Sequence, residues 1–77
     1  MITDFFIKIE MIFSDGRKNI DVFEVRDHDI WIRYHCHIEG EFSILIELDE
    51  NADWISITGQ KSYLISQIGT VIESYAA

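Results

Sequence analysis

Residues 30–48, IWIRYHCHIEGEFSILIEL, constrain the fold more than any other stretch of the chain. Ile30, Ile32, Tyr34, Cys36 and Ile38 fall on one side of an extended backbone, and Trp31, Arg33, His35 and His37 on the other. After Glu39-Gly40-Glu41 the alternation restarts, with Phe42, Ile44, Ile46 and Leu48 opposing Ser43, Leu45, Glu47 and Asp49. A period of two is a strand signal, and two such runs around a glycine predict an antiparallel hairpin. Cross-strand partners must share a face of the sheet, so the register can be derived. A two-residue loop sets His37 opposite Phe42 and mixes the faces. A three-residue loop, 39–41, pairs Ile38 with Phe42, Cys36 with Ile44, Tyr34 with Ile46 and Ile32 with Leu48. It also brings Arg33 opposite Glu47. Three-residue hairpins usually carry glycine at the third loop position rather than the second, so a loop of four or five residues stays open.

The flanking segments extend the same pattern. In DFFIKIEMIF, Phe5, Ile7, Ile9, Met11 and Phe13 share a side, Lys8 and Glu10 take the other, and Phe6 and Ile12 lie at the ends. Residues 14–19 read as a loop in which Asp15-Gly16 supplies the reversal. In NIDVFEV, Ile20 and Val22 alternate, and Phe23 and Val25 are out of phase, which predicts a bulge or strand end near Val22. Asp27-His28-Asp29 and residues 49–53 (DENAD) read as turns. WISIT is a short strand with Ile55 and Ile57 inward. The tail changes period: Leu64, Ile65, Ile68, Val71, Ile72 and Tyr75 follow one helix face, with Thr58 or Ser62 as the cap. Gly69 inside that helix costs about 1 kcal/mol relative to alanine. Close approach to the sheet would explain it. The expectation is an α+β domain spanning 1–77: an antiparallel sheet of four to five strands with one C-terminal helix packed on one face.

Charge bounds the function. Fourteen acids and six bases give −8 over 77 residues. Residues 1–38 carry −2 and residues 39–77 carry −6, with Lys61 the only base of the second half. Glu39, Glu41, Glu47, Asp49, Glu50 and Asp53 follow one another without an intervening cation. Such a balance repels nucleic acid and anionic lipid, so neither is an expected partner. No run approaches the ~18 apolar residues of a membrane span. The N-terminus lacks the basic and small-residue features of a secretory signal, and the single cysteine forms no internal disulfide, so a cytoplasmic setting is expected.

Catalytic templates are thin. His35 and His37, two apart on a strand, point the same way and form the one candidate metal pair. Cys36 points to the opposite face and cannot join them, and His28 lies at the far end of the strand. Exposed sheet residues without metal are therefore the preferred reading. Between Tyr34 and Ile38, Cys36 reads as a buried small hydrophobe rather than a nucleophile. The four glycines stand apart and form no phosphate loop.

One helix covers one sheet face. The other is expected to carry Phe6, Ile12, Trp31 and Leu45, with Trp54 a further candidate, beside Arg33, His35, His37 and Glu47. Tryptophan with a polar rim is the composition of an interface, and a homodimer is its simplest occupant. The function expected is that of a non-catalytic, cofactor-free inhibitor or immunity-type binding protein, in the manner of phage-encoded blockers of nucleic-acid-handling enzymes. Glu39, Glu41, Glu47, Asp49, Glu50 and Asp53, with Trp31 and Leu45, would meet a basic surface of the partner. The alternative is a metal-binding or small oligomeric enzyme domain using His35 and His37.

Overall fold

The computed structural model describes residues 2–26 and 32–76. It contains β1 (Ile2–Phe13), β2 (Gly16–Arg26), β3 (Ile32–Ile38), β4 (Ser43–Leu48), β5 (Trp54–Ser56) and α1 (Tyr63–Ala76). The strands form one antiparallel sheet in chain order, β1-β2-β3-β4-β5. Helix α1 lies against the sheet, with its contacts on β5 and β1.

The central hairpin has the register that the alternation predicts. Cys36 pairs with Ile44 and Tyr34 with Ile46, and Arg33 Nε lies 3.6 Å from Glu47 Oε2. The loop is 39–41, and its glycine works at the second position. Glu41 N–H donates to the Ile38 carbonyl at 3.0 Å, which makes Gly40 the third residue of a β-turn. Its φ of 71° is the left-handed value that this place in a type II turn requires.

Elsewhere the phases depart from the alternation. The irregularity lies on β1: between Phe5 and Ile7 the partner strand advances only from Phe23 to Val22. Phe6 is the extra residue of that bulge. It turns to the helix side and packs on Tyr34, ring centroids 5.5 Å apart. Phe5 consequently leaves the side of Ile7 and meets Phe23 on the outer face at 5.6 Å. Strand β2 keeps its phase through Val22, so Phe23 and Val25 are simply apolar residues of the outer face. The first turn is shorter than the loop 14–19, because Phe13 already pairs with Gly16.

Strand β5 is also reversed. Trp54 pairs with Leu48 and turns inward, where it is 9% exposed, and Ile55 pairs with Glu47 on the outer face. Ile57 is 54% exposed. The five-residue turn sets this phase: Asp49 Oδ1 accepts from the N–H groups of Asn51 and Asp53, and Ala52 has a φ of 64°. Trp54 therefore belongs to the core and not to the open face.

The core is built from Ile20, Val22, Cys36 and Ile46 of the sheet against Ile65, Ile68 and Ile72 of the helix. Ser62 caps the helix, its Oγ accepting from Ile65 N–H at 3.1 Å. Tyr75, although on the helical spacing, is exposed, as is Phe42 beyond the start of β4.

Candidate functional site

The candidate surface is the sheet face that α1 leaves open. A cross-strand row runs over it: Phe5, Phe23, His35 and Leu45 pair in sequence across β1 to β4. Ile57 follows beyond Leu45, donating its N–H to the Leu45 carbonyl at 3.1 Å. A second row joins Lys8, Asp21, His37 and Ser43, and a third joins Thr3, Val25 and Arg33. Glu47 and Ile55 pair beside Arg33. Phe23, Val25, Leu45 and Ile55 are half-buried, Phe5 and Ile57 are exposed at the two ends of the first row, and His35 interrupts that row.

The charges on this face cancel. Lys8 and Asp21 are 3.8 Å apart, Arg17 and Glu10 3.3 Å, and Arg33 and Glu47 3.6 Å. These pairs do little for stability at such exposure, but they leave the face electroneutral on a chain of net charge −8. Asp21 Oδ1 and Arg33 Nε are shielded from solvent without a hydrogen-bond partner among the described residues. An open groove of about 590 Å³ lies beside the second row, between Lys8, Asp21, His37 and the turn at Glu39–Glu41.

His35 and His37 sit on β3, the middle strand of five, with ring centroids 5.1 Å apart. No group of three or more His, Cys, Asp or Glu residues is placed to hold a metal among the described residues. Cys36 faces the other way into the core, fully covered. Burial pushes its thiol up to about 12, so the thiolate needed for nucleophilic chemistry is suppressed.

The acidic run does not converge. Glu39 and Glu41 sit in the β3–β4 turn, and Asp49, Glu50 and Asp53 in the β4–β5 turn, at opposite ends of β4. Six strand residues separate the two groups by about 20 Å. Most of the acids are also engaged within the chain. Glu39 accepts from Asn19 N–H at 2.9 Å, and Glu41 binds Lys18, which also bridges to Asp15 at 3.0 Å. Those two hydrogen bonds, the one to Glu41 first, raise the Lys18 pKa. Asp53 meets Lys61 at 3.1 Å, and Asp49 organises its own turn. Glu50 alone of the six has no ion-pair or hydrogen-bond partner among the described residues. Leu45 lies on the open face beside His35. Trp31, placed there by the alternation, falls outside the described residues, as do Ile30 and His28.

The alternation does not place Phe5, Phe23, Val25, Ile55 or Ile57 on this face. The signal was present in β2, where Phe23 and Val25 share the parity of Asp21. Outward-facing apolar residues mimic a break in phase, which is why the pattern resembles a bulge near Val22. Comparisons with protein-family models, curated proteins and solved structures return no match.

Proposed function

We infer that the chain is a small non-catalytic binding protein whose excess negative charge docks on a basic surface of a partner. One observation carries this reading. Each of the six lysines and arginines is held by a carboxylate of the chain itself, namely Lys8, Arg17, Lys18, Arg26, Arg33 and Lys61. Every lysine and arginine thus has a carboxylate neighbour within the chain, whereas a net charge of −8 remains. The matching surface is one rich in lysine and arginine, and nucleic-acid-handling enzymes present such surfaces. A stoichiometric inhibitor or immunity-type protein, of the phage-encoded kind, occupies them in this way, by analogy of size and charge. The acidic ends of the sheet are the docking elements, and the electroneutral face is free to join two copies of the chain. The second reading, a metal-binding or small oligomeric enzyme domain, draws its support from the spacing of His35 and His37.

The test is capture of a partner from the native host by untagged protein, followed by association kinetics against salt. Screening acts over about 8 Å at physiological ionic strength, so the association rate should fall steeply as salt rises. A rate that is indifferent to salt, on a partner without a basic surface, removes the reading.

A further inference from the structure

We propose that His35 and His37 form half of a divalent transition-metal site, which a second copy of the chain completes across the open sheet face. The inference rests on the self-association reading given above, and adds to it the ligand that joins the copies. Its first support is distance. Two imidazoles bound to one tetrahedral zinc, at about 2.0–2.1 Å per nitrogen, have ring centroids about 5.2 Å apart. The two rings here are 5.1 Å apart before any metal is added. The pair is preorganised by its backbone, because both residues lie on the central strand, held by β2 and β4 on either side.

The missing ligands do not come from the same chain. Asp21, the cross-strand partner of His37, faces Lys8 at 3.8 Å and supplies one carboxylate at most, which leaves the set short of four. Glu47 is held by Arg33. Cys36 is buried on the reverse side. Two nitrogens are too few for a stable zinc site, which takes four donors. A second copy related by a two-fold axis through β3 supplies the same two residues and closes the set at four imidazoles.

Three features favour a second copy as the occupant. The face is electroneutral, so two chains of −8 each approach through it without the repulsion that their acidic ends would impose. Its size is adequate. The 39 strand residues, each rising about 3.3 Å on strands about 4.8 Å apart, offer on the order of 600 Å² per copy, hence about 1,200 Å² per pair, the lower bound of stable interfaces. Phe23 and Leu45 flank His35 on the neighbouring strands, and in a closed pair they would shield the metal from water. Face-to-face sheets pack about 10 Å apart, so the midplane lies about 5 Å from each backbone, within the reach of an imidazole nitrogen. The dication also offsets part of the negative charge of the pair.

The experiment uses the full chain without an affinity tag, in sedimentation or light scattering, with zinc and with a chelator. Zinc should lower the dimer dissociation constant at least tenfold, at one ion bound per two chains. The double substitution His35→Ala, His37→Ala should abolish the zinc effect and leave the far-ultraviolet dichroism intact. Cobalt added to the native chain gives an independent reading, an intense visible band of four-coordinate geometry that the chelator removes. A dimer indifferent to zinc overturns the metal site and leaves self-association standing. One zinc per monomer, or no zinc bound at all, overturns the shared site as well.

Discussion

Gly69 of the helix lies directly against the indole of Trp54. A methyl group built on Gly69 would come within 2.2 Å of Trp54 Cγ and 2.3 Å of Cδ1. The glycine that weakens the helix by about 1 kcal/mol is thus the contact that lets the helix reach the sheet. The same helix holds the indole a second time one turn on, where Trp54 Nε1–H donates to Glu73 Oε1 at 2.6 Å.

Gly69→Ala should therefore destabilise the fold, although alanine is the better helix former. Overpacking of this kind costs about 1–3 kcal/mol, more than the propensity gained. Denaturant unfolding should show a lower midpoint at unchanged slope. A higher midpoint would mean that the indole can move aside without loss.

Cys36 should resist thiol reagents in the native protein and react only as fast as the chain opens. Its burial also sets a pH dependence. The pKa is 9.0 when solvated and about 12 in the fold, so the unfolded chain loses its proton first. The contribution of this residue is whole below pH 9 and declines between pH 9 and 12. Cys36→Ala should flatten the fall in stability over that window by an amount on the order of a few kcal/mol. Equal slopes in both proteins would show that other groups set the alkaline limit.

Leu45→Glu places a charge in the middle of the open face, beside His35. In light scattering at micromolar concentration it should shift a dimer to monomer while leaving the unfolding transition cooperative. A monomeric native chain at high concentration would contradict self-association through this face.

Charge reversal should separate docking from stability. Glu50→Lys removes a carboxylate without a partner among the described residues, so it should slow association with a basic partner and leave the unfolding midpoint unchanged. Asp49→Lys removes the oxygen that accepts from Asn51 and Asp53. That variant should also lose about 1 kcal/mol of stability. Equal association rates for Glu50→Lys and native protein at low salt would leave the acids with solubility as their role.

The hairpin from Ile32 to Leu48 and the helix were legible because each follows a single clean period. The strands at either end were not. At Phe6 one extra backbone residue reverses every side chain upstream, and a bulge leaves no mark on composition. At Trp54 the phase depends on the geometry of a five-residue turn with a left-handed alanine, a conformation that alanine rarely adopts. The acids were legible as a run but not as a site, since residues adjacent in sequence end about 20 Å apart once a strand lies between them.

The meander order of the strands has a kinetic consequence. Every strand hydrogen-bonds only to its sequence neighbours, so the sheet can grow one turn at a time from any hairpin, without waiting for distant segments to meet. Low separation between contacting residues favours rapid folding. The helix is the one element that must return across the sheet, reaching β1 as well as β5, so its contact with β1 is the long-range step.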